Sequence, residues 1–125
     1  MAIEESDLAA RLMEDMDARL LDFLKNQVNT FVKWDLVRFF YENPNTTDTA
    51  DNIARYAGRD PVAIEQELAD LAESGVLFRE EVGGMITYSL ATDEDMRGQI
   101  EEFISACNDR QFRVKAIYHI IRGMR

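Results

Sequence analysis

The side chains best suited to catalysis are scarce in this chain of 125 residues, which has one histidine, His119, and one cysteine, Cys107. The sequence contains neither the G-x-S-x-G motif of a serine nucleophile nor the G-x-x-x-x-G-K-[ST] loop that cradles phosphates. One cysteine and one histidine cannot supply the ligands of an ordinary zinc site. We therefore interpret Cys107 as a small apolar residue of a helix interface and expect His119 to be exposed.

Paired carboxylates are the other groups with acid–base capacity, and they occur as Glu4/Glu5 and Glu80/Glu81. A general acid or base needs a pKa that its surroundings have shifted toward the working pH. Adjacent acids in polar stretches are more simply solvated charges. The pair Gly83-Gly84 lies between two runs of β-forming residues and is interpreted as a hairpin turn. We therefore predict a protein without enzymatic activity, metal or cofactor.

Composition predicts a single domain over residues 1–125. Hydrophobic residues make up 46% of the chain and charged residues 30%, a balance typical of a folded domain. The sequence contains no run of 18 apolar residues, so we predict no membrane span. The acidic start MAIEESD lacks the basic and then apolar segments of a signal peptide. A single cysteine excludes an internal disulfide and fits a reducing compartment. The expected location is the cytoplasm, with no membrane partner.

The most informative segment runs from Thr46 to Leu90. A short helix is predicted over 49–57, with Gly58 just past its end. After a tight turn, Asp60 is suited to cap a second helix and Pro61 to occupy its first position. That helix is predicted to bury three apolar residues spaced four and three apart and to end at Gly75; they are Ile64, Leu68 and Leu71. Two β-rich runs, 76–82 and 85–90, then form a hairpin.

Helices are predicted on both sides of this segment. Residues 5–28 carry an amphipathic stripe that includes Met13, Met16 and Leu20. These residues are predicted to lie in a dimer interface, with packing on the chain's own core as the alternative. Residues 30–43 carry aromatic and aliphatic side chains on more than one face, which predicts a central helix. Its aromatic cluster is interpreted as core, with a ligand pocket as the alternative.

The C-terminal segment 93–124 shows apolar residues in alternating steps of four and three, interrupted at Arg110. One kinked helix is favoured over two helices divided near Cys107-Asn108-Asp109. Such a seam predicts a homodimer, and an antiparallel pair with the chain's own N-terminal helix is the alternative. The apolar seam continues to Met124, and the predicted interface residues on this segment are Met96, Ile100, Phe103, Cys107, Val114, Ile117 and Ile121.

Two helices around a glycine-containing turn, followed by a hairpin, resemble a winged helix-turn-helix. The resemblance implies a mainly α fold with a small β-hairpin wing, flanked by N- and C-terminal helices. The predicted arrangement is similar to that of the MarR, PadR and ArsR families, and this resemblance implies a dimeric transcriptional regulator that binds DNA. The DNA contacts implied are Gln66, Arg55, Arg59 and Arg79, with Lys33 and Arg38 as neutralisers of the phosphate backbone.

Charge favours a different function. The chain carries a net charge of −10, and the predicted recognition helix over 61–74 contains four acids and no Lys or Arg. DNA recognition usually relies on Arg or Lys for guanine and for phosphates. The alternative hypothesis is therefore a winged-helix interaction module whose acidic helix binds a basic protein partner.

Overall fold

The computed structural model describes residues 16–123. This part of the chain contains six helices and three short strands. In chain order they are α1 (Ala18–Asn26), α2 (Phe31–Glu42), β1 (Thr47–Asp48), α3 (Ala50–Ala57), α4 (Pro61–Glu73), β2 (Leu77–Val82), β3 (Met85–Leu90), α5 (Glu94–Ala106) and α6 (Arg110–Gly123).

Local sequence signals set the bounds of α3 and α4 as predicted. At the start of α3, the hydroxyl of Thr49 accepts a hydrogen bond from the backbone N–H of Asn52. At the start of α4, the carboxylate of Asp60 accepts one from the backbone N–H of Val62. Gly58, at φ 69°, ends α3 in the left-handed conformation, which only glycine adopts at little cost. The two helices therefore meet at a tight turn.

The strands form an antiparallel sheet in the order β1-β3-β2. Val82 pairs with Met85 across a turn in which Gly83 and Gly84 have φ angles of 58° and 84°. Positive φ at both central residues matches the right-handed twist of a hairpin. Strand β1 is too short to give a sequence signal and was not predicted. A mainly helical chain with this small sheet is compatible with a winged helix.

The core forms where α2 crosses the other helices. Leu36, Val37 and Phe40 are buried, while Trp34 and Phe39 pack against the same cluster from half-buried positions. Aromatic rings meet edge to face there, as Trp34 and Phe103 do with centroids 5.5 Å apart. The interpretation of this aromatic helix as central and as core is confirmed.

The structure corrects the prediction of one continuous C-terminal helix. Helix α5 ends at Ala106, and α6 begins after Asp109, whose carboxylate accepts the N–H of Gln111 at 3.0 Å. Arg113 donates from its guanidinium to the carbonyl oxygen of Cys107 at 2.7 Å and so satisfies a carbonyl at the end of α5. The favoured single helix is therefore wrong, and the division near Cys107-Asn108-Asp109 is correct.

Because of this break, the apolar seam does not stay on one side of the molecule. Its α5 part faces the core, and its α6 part faces outward. Ile100 and Phe103 on α5 are fully buried in the chain's own core, so their assignment to a dimer interface is corrected. Met96 and Cys107 pack against the same core from partly buried positions. On α6 the buried residues are Phe112, Ala116 and Ile120. The exposed apolar residues of α6 lie on its opposite face, and they are Val114, Ile117 and Ile121.

Part of the predicted N-terminal helix can be located. Helix α1 covers Ala18–Asn26 of the predicted 5–28, and Met16 and Leu20 pack partly buried against the core. Residues 16 and 17 are not helical, and the carboxylate of Asp17 caps the start of α1 by accepting the N–H of Arg19 at 2.8 Å, so the prediction of a helix that runs on through these residues is wrong. The part of the prediction before residue 16, including Met13, lies outside the described residues, as does Met124 of the C-terminal seam.

Candidate nucleic-acid interface

Helix α4 presents two sharply different faces. Ile64, Leu68 and Leu71 are fully buried against the core. On the other side, Val62 is 83% exposed and Gln66 is also exposed. One helical turn on from Gln66 lies the half-buried Ala69. Since residues on a helix turn by about 100° each, Val62, Gln66, Ala69 and the exposed Glu73 share the outward face, with Asp70 at its edge.

Lys33 of α2 reaches the flank of α4. Its ammonium group lies 3.3 Å from Asp70 Oδ2 and 3.7 Å from Glu67 Oε2, and it donates to Asn29 Oδ1 at 2.8 Å. The residue is only 8% exposed. The interpretation of Lys33 as a contact for the DNA backbone is therefore corrected, because its charge is neutralised inside the protein.

The acids of α4 are not all turned outward. Glu67 accepts the hydroxyl of Thr30 at 2.6 Å in addition to its ion pair with Lys33. Asp70 accepts the amide N–H of Gln66 at 2.9 Å. This hydrogen bond, followed by Lys33, lowers the pKa of Asp70 below its usual value, so its carboxylate is ionised at neutral pH. Two of the four acids are thus held at the side that faces α2.

The structure separates the remaining predicted DNA contacts into two groups. Arg59 forms an ion pair with Asp35, and together with Arg38 they line a groove of about 470 Å³ between α2 and the α5–α6 region. Arg55 on α3 and Arg79 on β2 are exposed, and neither forms an ion pair within residues 16–123. Arg38 and Arg59 are therefore brought together, whereas Gln66 does not line that groove.

Sequence reasoning identified the outward residues of α4 but missed their partners. The spacing of Gln66 and Asp70, four residues apart on a helix, is a signal that predicts their hydrogen bond. The contact of Lys33 with Asp70 joins residues 37 positions apart and leaves no such signal. Only the packing of α2 on α4 brings those two charges together.

The surroundings of Cys107 and His119 shift the pKa values of both side chains. Burial raises the pKa of the Cys107 thiol to about 11, so the nucleophilic thiolate is scarce at neutral pH. His119 is half-buried rather than exposed as predicted, and it lines a groove with Lys25 and Lys33. Burial, and then the nearby charges of Lys25 and Arg122, lower its pKa.

No cluster of three or more His, Cys, Asp or Glu side chains within residues 16–123 is arranged to hold a metal ion. Over the same residues, no helix is both long enough and apolar enough to cross a membrane.

Comparisons with known proteins give little support for any assignment. No protein-family model and no curated protein matches the chain. Among solved structures, the chain is similar to one described as a possible transcriptional regulator from Methanosarcina mazei Go1, at 14% sequence identity and a TM-score of 0.44. The match covers 86% of this chain and 82% of that chain.

Proposed function

We propose that this chain is a winged-helix transcriptional regulator that binds DNA through the N-terminal half of α4. The observation that supports the proposal is the ion-paired cluster of Lys33 with Glu67 and Asp70. Because this cluster holds two acids toward α2, the outward face of the first turns of α4 consists of Val62, Gln66 and Ala69. These three side chains are uncharged and can enter the major groove without repelling phosphates, while the exposed acids Glu65 and Glu73 lie beside them.

Phosphate contacts come from the edges of this face. Arg55 and Arg79 are exposed on neighbouring elements, and Arg38 is exposed on α2. The hairpin of β2 and β3 serves as the wing and presents Arg79. Since the whole chain carries −10, binding is expected to be weak at physiological salt and strongly salt-dependent.

Adding a positive charge beside the DNA-binding face tests this proposal. Glu65 is exposed on the flank of α4 next to Gln66, so Glu65→Lys is expected to tighten duplex binding about tenfold at low salt. Fluorescence anisotropy with a mixed-sequence duplex measures the change. Glu94→Lys, on the exposed first turn of α5, is the matched control because it changes net charge equally. Equal effects of both substitutions would reject α4 as the DNA-binding surface.

We also propose a homodimer in which the second copy covers the exposed face of α6. Val114, Ile117 and Ile121 form its apolar stripe, while Ile100 and Phe103 no longer belong to it. Helix α6 carries four cations and no acid, so two α6 helices side by side would repel each other. The acidic remainder of a second copy is the more favourable surface for this stripe to contact.

Light scattering tests the dimer. At tens of micromolar, the chain is expected to have twice its monomer mass of 14.4 kDa. Ile117→Asp, which places a charge in the stripe, is expected to give a folded monomer. Val82→Asp, at an exposed apolar position on the hairpin, serves as the control and should leave the mass unchanged. A monomeric wild-type protein would contradict the dimer.

A second candidate function is supported by the hairpin. Phe78, Val82 and Met85 share its outer face and are each more than half exposed, with the acid Glu80 between them. An apolar and acidic surface suits a basic protein partner better than a phosphate backbone. If no duplex binds at the lowest salt, this interaction module becomes the favoured function.

A further inference from the structure

The side-chain amide of Gln66 is held in a defined orientation. Its Nε2 donates to Asp70 Oδ1, and the ionised carboxylate of Asp70 accepts hydrogen bonds but cannot donate them. The amide nitrogen, rather than the amide oxygen, must therefore face Asp70. The second N–H and the carbonyl oxygen of the Gln66 amide are therefore left free to bind a ligand.

Asp70 is itself fixed in place. Its other carboxylate oxygen, Oδ2, lies 3.3 Å from the Nζ of Lys33, which is nearly buried. Charge-assisted contacts of this kind have a more defined geometry than neutral surface contacts. The contacts from Lys33 to Asp70 and from Asp70 to Gln66 thus hold an exposed amide in place from inside the protein. The rotamer freedom of Gln66 is restricted before binding, so less of it is lost on binding.

The free groups of Gln66 match one base edge in the major groove. Adenine presents N7 as an acceptor and the N6 amino group as a donor, and a Gln amide contacts both at once with one N–H and one oxygen. Val62 lies one helical turn before Gln66 on the same face and is the most exposed large apolar residue of the described chain. Thymine is the base that offers a methyl group to such a side chain.

We infer that α4 reads an A·T-containing site, with the preset amide of Gln66 on adenine and Val62 on a thymine methyl group. This inference rests on the proposed DNA binding. Lys33 and Asp70 are positioning residues in it, since they orient Gln66 without touching the base. Residues 61–73 contain no Lys or Arg, so α4 offers no side chain of the kind that usually reads guanine.

Base analogues test the contacts one atom at a time. Tight-binding duplexes are first selected from a random library at low salt with the full chain, and are expected to share an A·T pair. Replacing that adenine with 7-deazaadenine removes N7 and should weaken wild-type binding about tenfold. Replacing thymine with uracil removes the methyl group and should weaken it about three- to fivefold.

Variants show which side chain makes each contact. Gln66→Ala should lose sensitivity to 7-deazaadenine and keep sensitivity to uracil, whereas Val62→Ala should show the reverse. Asp70→Ala should lower the preference for the selected duplex over a random one by about fivefold. The affinity of the Asp70→Ala variant for a random duplex should not fall, because a negative charge has been removed. Glu73→Ala removes an acid from the same helix without touching Gln66, and it should keep the preference.

The outcomes separate two failures. Salt-dependent binding without any dependence on adenine N7 or the thymine methyl group would overturn the A·T inference and leave the proposed DNA binding standing. A preference that survives in both Gln66→Ala and Asp70→Ala would also overturn it. Failure to bind any duplex at the lowest salt would overturn both the inference and the proposed function.

Discussion

Replacing Phe103 with alanine is expected to lower the free energy of unfolding by about 3 to 5 kcal/mol, the cost typical of deleting a buried aromatic side chain. Phe103 is fully buried, and its ring lies 5.3 Å from that of Phe23, 5.5 Å from Trp34 and 6.0 Å from Phe112. These rings come from α1, α2 and α6. A cavity at Phe103 of α5 would therefore weaken four helices together.

Chemical denaturation of the full chain at one protein concentration measures this loss. Phe78→Ala is the matched control, since it deletes the same ring from a position 56% exposed, and it should cost less than about 1 kcal/mol. Fixed concentration matters because a dimer adds stability by mass action. Equal losses in the two variants would mean that α1, α2, α5 and α6 do not share this core.

Replacing Lys33 with methionine is expected to lower the free energy of unfolding by about 1 to 3 kcal/mol at pH 7, because two carboxylates lose the cation that they share. Methionine keeps most of the apolar stem, so the loss reports the ammonium group. The same variant should also reduce the preference for a selected duplex, since it releases Asp70 from its anchor.

Acid should diminish the effect of Lys33→Met. The pKa of Asp70 is lowered from its ordinary 3.8, by the Gln66 hydrogen bond first and by Lys33 to a smaller extent. A lowered pKa contributes stability that is complete above the unfolded value and is lost as pH falls through the folded one. The stability difference between wild type and variant should therefore be largest near neutral pH and shrink below about pH 4.

A control lysine makes this pH test specific. Lys25→Met removes an exposed lysine of α1 and should cost little at any pH. A stability difference for Lys33→Met that stays constant from pH 7 to pH 3 would contradict the ion pairs with Glu67 and Asp70.

Much of the fold could be predicted because its signals are local. Capping residues, Pro61 at a helix start and Gly58 past a helix end act within one turn of the chain, so α3 and α4 appear where the sequence predicts them. The C-terminal segment shows the limit of such reasoning. Its seam continues across Asn108 and Asp109, and periodicity alone does not reveal that the two halves face opposite sides once the helix breaks.

The candidate site was predictable only in part, for the same reason. The outward positions of Val62 and Gln66 follow from the spacing of the buried residues on α4. The roles of Lys33 and Arg59 do not, because each is decided by a carboxylate that tertiary packing brings to it: Asp70 for Lys33 and Asp35 for Arg59. From the sequence, both cations were available to DNA.

The most direct test of DNA binding by this chain is a salt titration of wild-type protein with a mixed-sequence duplex, followed by fluorescence anisotropy from the lowest practical salt upward. With Arg38, Arg55 and Arg79 on phosphates, the logarithm of the binding constant should fall against the logarithm of salt with a slope of about −3 per protomer. Binding with that slope is the result we predict. Absence of binding at the lowest salt would contradict DNA recognition by α4.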